Sequence, residues 1–218
     1  MKILVFDTET SGLPPKSGIN VLESSKWPYI LQLAWILYDT ENNLIVDKFN
    51  SLIKIDLNIV IDPNSIKVHK ITQEKLQKEG IDINIVLDKF NIILNLTDVI
   101  VGHNLMFDKN MIQVESIRNN NPINFIQNSI SISQYCTMLN SINLCKIPFA
   151  NKINNNYNYK SNYKYPKLSE LIYFLFREEN INFHDAFIDV IYTLRAYYKL
   201  QKNIDIFTVD LTLKNLLN

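Results

Sequence analysis

Two carboxylates spaced by one residue, Asp7 and Glu9, close the first hydrophobic run, Lys2-Ile-Leu-Val-Phe-Asp-Thr-Glu-Thr-Ser-Gly-Leu13. Side chains alternate faces along a strand. Ile3, Val5, Asp7 and Glu9 therefore share one face, and Leu4, Phe6 and Thr8 the other. Apolar residues on both faces predict a central strand covered on both sides. Two unpaired acids at the end of such a strand are costly to bury, and a divalent cation would resolve the conflict. Thr10-Ser11-Gly12 is expected to break the strand and open the site to solvent.

Asp-x-Glu is weak evidence by itself, because Asp39-Thr40-Glu41 repeats the tripeptide in an expected turn where solvated acids are ordinary. Two further segments strengthen the first copy. In Val101-Gly-His-Asn-Leu-Met-Phe-Asp108 a hydrophobic strand ends at Gly102 and a helix follows. Asp108 falls in its first turn, where the helix dipole alone would favour an acid. Asn104 reads either as the N-cap or as a site residue. Phe107, Met111 and Ile112 are expected to point away from Asp108. In His184-Asp-Ala-Phe-Ile-Asp189 the histidine and the last acid would lie about 140° apart on one helix, so His184 is expected in the preceding loop. Ala186, Asp189, Thr193 and Ala196 form a stripe of small residues that lets this helix approach a sheet. The plain alternative makes Asp189 a surface acid.

Four carboxylates in one site need counter-charge, since like charges raise one another's pKa. Carboxylate oxygens suit Mg²⁺ or Mn²⁺. Two such ions about 4 Å apart stabilise the attacking and leaving oxygens of a phosphoryl displacement. A histidine of ordinary pKa near 6.5 can take the proton of the attacking water. Spacing does not choose between His103 and His184, which both precede an acid by five residues; the place of His103 at the strand exit favours structure or substrate.

The elements that must position these groups follow from periodicity. Strands are predicted over the first run up to the Thr10-Ser11-Gly12 break and over 29–38 and 44–53, the last two as a hairpin. Residues 54–80 read as loops with a short helix after Thr72. A helix is predicted over 82–95, a strand over 98–102, a helix over 105–118 and a strand over 129–136. Helices over 168–176 and 185–202 complete the set. The class is α/β, a mixed central sheet of about five strands flanked by helices. One domain is expected over 1–218, with its core over about 2–202 and a polar insertion over 151–165.

The bulk numbers narrow the classes. The 218 residues are 47% hydrophobic and carry no net charge, so a broad basic footprint for duplex nucleic acid is absent. No apolar run reaches the roughly 18 residues of a membrane span, and no signal-peptide pattern precedes the first strand. An intracellular, cytoplasmic protein is expected, with nucleoid association or viral origin left open. Cys136 and Cys145 lack metal-ligand spacing and read as reduced thiols. Trp27, Trp35 and His69 read as structural.

Taken together, Phe6-Asp-Thr-Glu-Thr-Ser-Gly12, His103-Asn-x-x-Phe-Asp108 and His184-Asp-Ala-x-x-Asp189 resemble the DnaQ-like, or DEDDh, family of 3′→5′ exonucleases, which includes proofreading subunits of DNA polymerases. Ser11, where Thr is common, is the one departure. The resemblance implies an RNase H-like fold and two Mg²⁺ or Mn²⁺ ions on Asp7, Glu9, Asp108 and Asp189. Asp7, Glu9 and Asp189 would hold one ion and mainly Asp7 the other, with Asp108 acting through water. It makes His184 the general base and a 5′-nucleoside monophosphate the product. It places Thr10 and Leu13 in the pocket for the terminal nucleotide, with His103 and Asn104 nearby. The implied partner is a single-stranded 3′ end, DNA ahead of RNA. A proofreading role would need a DNA polymerase as partner. RNA 3′-end trimming, a structure-selective endonuclease and a non-catalytic nucleic-acid-binding module on the same fold are the alternatives.

The stretch 136–169 holds five lysines and no acid, with Tyr157, Tyr159, Tyr163 and Tyr165 among the last lysines. Aromatic rings stack on bases and lysines track phosphates, so Tyr163 and Lys164 are expected to grip substrate. The plain alternative is an Asn-rich insertion with ordinary surface lysines.

Overall fold

The computed structural model describes residues 1–14, 19–127, 130–149 and 163–217. In chain order the elements are β1 (Lys2–Thr10), β2 (Ile30–Asp39), β3 (Leu44–Leu52), α1 (Pro63–His69), α2 (Gln73–Glu79), α3 (Ile83–Leu94), β4 (Val99–Gly102), α4 (Leu105–Arg118), β5 (Ile126–Gln127), β6 (Ile130–Ser131), β7 (Ser133–Cys136), α5 (Thr137–Cys145), α6 (Leu168–Phe176), α7 (Ala186–Lys202) and α8 (Leu211–Asn215).

Five strands form one mixed sheet in the order β3-β2-β1-β4-β7. β1 pairs antiparallel with β2 and parallel with β4. β2 is buried along nearly its whole length, whereas β3 alternates and forms an edge. The two faces of β1 feed two cores, as its alternation requires. Ile3 and Val5 pack with Leu171, Ala186, Val190 and Ala196 of α6 and α7. Leu4 and Phe6 pack with Phe90, Met111 and Ile112 of α3 and α4. At the β4 exit the chain turns so tightly that a Cβ on Gly102 would lie 3.1 Å from Leu105.

Several local expectations need correction. β1 runs through Thr10, with a register shift between Glu9 and Thr10, and breaks only at Ser11. α1, α5, α8 and β5 have no counterpart among the expected elements. The single strand expected over 129–136 is β7, preceded by the two-residue strand β6. Asp108, Met111 and Ile112 lie on one buried face of α4, as spacings of three and four dictate. The second Asp-x-Glu lies in a turn as expected, where Asp39 accepts from the Glu41 amide at 2.9 Å. Most of the polar insertion, residues 150–162, lies outside the described residues. No helix among the described residues is long and apolar enough to cross a membrane.

Candidate active site

Asp7 and Glu9 stand on the β1 face that α7 covers. The small residues Ala186, Thr193 and Ala196 are buried there, so the stripe read from the sequence does bring α7 onto the sheet. This delivers Asp189 to the end of β1. Glu9, His184 and Asp189 each present a ligand atom within 4.8 Å of the others. Of the two histidines, the fold groups His184 with these acids.

His184 lies in the loop before α7 with φ 74° and is exposed. Its amide faces both Asp189 oxygens, at 3.4 and 3.3 Å. Asp185 caps α7, accepting from the Phe187 and Ile188 amides at 3.0 and 3.4 Å. Its charge also acts on Asp7, Glu9 and Asp189. Asp185 was not among the residues expected at the site. Gln32, opposite Glu9 on β2, accepts from the Ala186 amide at 3.3 Å and so ties the start of α7 to the sheet.

Asp108 enters from the opposite core. Thr8, the residue between Asp7 and Glu9, donates to Asp108 Oδ1 through its amide at 3.0 Å and its hydroxyl at 2.7 Å. The Asp-Thr-Glu tripeptide therefore holds acids on both of its faces.

The electrostatics are those of a site short of positive charge. Desolvation, with further push from neighbouring acids, raises Asp7 well above the carboxylate range and Glu9 to about 8. Asp189 is raised to about 7, chiefly by desolvation. Asp108 also reaches about 7 by desolvation, although both Thr8 bonds pull it back. Such carboxylates have the donor chemistry of a Mg²⁺ or Mn²⁺ site. Desolvation, then the charge of Lys167, holds the His184 imidazole below its ordinary value, which keeps it neutral at pH 7.

The expected substrate residues divide. Leu13 is 83% exposed. Asn104 is exposed at the N-cap of α4, φ 70°, and makes no side-chain cap bond. The Thr10 hydroxyl is instead spent on Gly12 O, at 2.7 Å. His103 is occupied too, with Nδ1 2.9 Å from the Thr137 hydroxyl and Nε2 3.0 Å from Pro166 O. The carbonyl requires the proton on Nε2, so Nδ1 accepts from Thr137. Lys164 forms an ion pair with Glu170 at 2.5 Å rather than offering a bare charge. Tyr163 is partly buried, and Tyr157 and Tyr159 lie outside the described residues.

A family model described as exonuclease (RNase T) matches residues 4–197. A comparison with curated proteins gives no match. Among solved structures, Escherichia coli exonuclease I in complex with a dA16 oligonucleotide is 22% identical, with TM-score 0.64, covering 97% of this chain and 43% of that one. Exonuclease I of Methylocaldum szegediense is 17% identical, with TM-score 0.62, covering 95% and 42%. These likenesses establish the fold, and this chain spans less than half the length of those proteins.

Proposed function

The chain belongs to the exonuclease family, and from that premise we propose that it is a metal-dependent 3′→5′ exonuclease releasing 5′-mononucleotides from single-stranded or frayed DNA. The carrying observation is the convergence of Glu9, His184 and Asp189 within 4.8 Å, beside Asp7 and Asp108. The structure of exonuclease I with a dA16 oligonucleotide supports single-stranded DNA as the substrate class.

Asp7, Glu9 and Asp189 would hold one Mg²⁺ or Mn²⁺ ion and Asp7 a second, while Asp108, tethered to Thr8, acts through water. Bound there, the ions supply charge stabilisation to the attacking and leaving oxygens. His184 takes the proton of the attacking water, being neutral and exposed at the rim of the acids. Leu13 presents an apolar surface to the terminal base, and Asn104 flanks it. His103 positions: it ties the β4 exit to the segment before α6. A proofreading role would add a DNA polymerase as partner.

The test is nucleotide release from a 3′-labelled single-stranded DNA oligomer with Mg²⁺, Mn²⁺ or EDTA, beside Asp7→Ala. Stepwise, metal-dependent loss of 3′ nucleotides that the variant lacks supports the reading. Release from RNA alone would move the substrate to RNA trimming. Silence on both would leave a binding module.

A further inference from the structure

Gln32 is a buried polar residue with no part in the reaction steps above. It stands directly across from Glu9 in the antiparallel β1–β2 pair, so the two side chains share the sheet face that α7 covers. Only 5% of it is exposed, and both ends of its amide are taken. Oε1 accepts from the Ala186 amide at 3.3 Å, and Nε2 donates to Asn50 Oδ1 at 2.9 Å. A main-chain amide can only donate, so Gln32 must turn Oε1 to Ala186 and Nε2 to Asn50, which answers with its oxygen.

The first amides of a helix have no partner within it. In α7, Asp185 takes those of Phe187 and Ile188, and Gln32 takes that of Ala186. The first cap belongs to the helix and moves with it, whereas the second belongs to the sheet. Asp189 follows Ala186 by three residues and lies on the same side of α7. We propose that Gln32 is a positioning residue for the metal site. Locked by Asn50, it sets the separation of Glu9 on β1 from Asp189 on α7, and so the hold of these acids on a divalent ion. Carboxylates from two elements share an ion only while the elements keep their spacing. Without the Gln32 oxygen the buried Ala186 amide is bare and the helix end is free to ride along the sheet. Through Asn50, which is exposed on β3, the edge strand acts on the site from two strands away. The inference deepens the exonuclease reading and rests on it for the identity of the ion.

The experiment titrates Mn²⁺ into the full chain and reads the free ion by electron paramagnetic resonance, with urea melts in EDTA beside it. Gln32→Met keeps the length of the side chain and removes both hydrogen bonds. Asn50→Val removes only the acceptor, at an exposed strand position that suits a β-branched residue, so this variant folds and decides in any case. Gln32→Met is expected to weaken Mn²⁺ binding about 10- to 100-fold, the usual effect of a partner outside the ligand shell, and Asn50→Val by less. The double variant should be no weaker than Gln32→Met, because the two residues act in series. Asn50→Asp keeps an acceptor and should bind Mn²⁺ like wild type. Equal Mn²⁺ affinity in wild type, Gln32→Met and Asn50→Val overturns the proposal, even where the melts show lost stability. Nucleotide release is assayed separately. Weakened Mn²⁺ binding in the variants, with no release by wild type, would retain the positioning role and overturn the exonuclease reading.

Discussion

The backbone amide of His184 faces the Asp189 carboxylate, 3.4 and 3.3 Å from its two oxygens. The residue expected to move a proton thus also steadies an acid, but through its main chain. The two roles can be separated by substitution.

His184→Ala keeps that amide and removes only the imidazole. Nucleotide release should fall about 10²- to 10⁴-fold, the usual worth of a general base, while the Mg²⁺ concentration for half-maximal rate stays put. A large rise in that concentration would instead make His184 a metal ligand. Single-turnover release against Mg²⁺ decides.

Acidity should stabilise the metal-free protein. Glu9, Asp108 and Asp189 have folded pKa values of about 8, 7 and 7, above their ordinary values of 4.5, 3.8 and 3.8. A raised carboxyl contributes stability below its unfolded pKa and loses it as pH rises through its folded pKa. In EDTA, Tm should therefore decline from pH 4.5 to pH 8, and Mg²⁺ should recover most of the loss at pH 8. Glu9→Gln should be more stable than wild type there by about 0.5–2 kcal/mol. Thermal melts across that range, with and without Mg²⁺, are the check.

Thr8→Val removes the hydroxyl that donates to Asp108 at 2.7 Å and keeps its shape. A hydrogen bond to a charged group contributes about 1.5–3 kcal/mol. The Asp108 pKa should rise further, and the rate should need more Mg²⁺ or higher pH. An unchanged pH–rate profile would refute this coupling.

His103 should matter to stability before chemistry. Desolvation lowers its pKa to about 4, from an ordinary 6.5. A depressed histidine contributes stability above its unfolded pKa and loses it as pH falls through its folded pKa. His103→Ala should cost about 1–3 kcal/mol at pH 7, with the gap to wild type closing toward pH 4. Urea melts at both pH values measure it.

Lys164→Ala should change stability by less than about 1 kcal/mol, since the Glu170 pair is partly exposed. Its KM should match wild type. A KM several-fold higher would return Lys164 to the substrate grip.

The acids were legible because each sits where a local pattern breaks: Asp7 and Glu9 at the end of an apolar strand, Asp108 and Asp189 in the first turns of helices. The missed helices broke the same rule in the other direction. α5 buries Thr137 and Ser141 while Leu139 and Leu144 remain exposed, so its apolar residues trace no buried face. α1 buries only His69. Hydrophobic periodicity finds a helix only when its apolar stripe is the face that packs.

The sequence by itself determined most of the elements, the two-faced burial of β1 and the places where the five candidate residues stand along them. Tertiary structure decided which groups meet. His103 and His184 have the same spacing to an acid, yet parallel pairing of β4 turns one into the wall of α5 and α6, and α7 crossing β1 turns the other onto Glu9. Residues 9 and 189 are brought together by sheet order and crossover, which depend on contacts far apart in the chain. No local spacing encodes them.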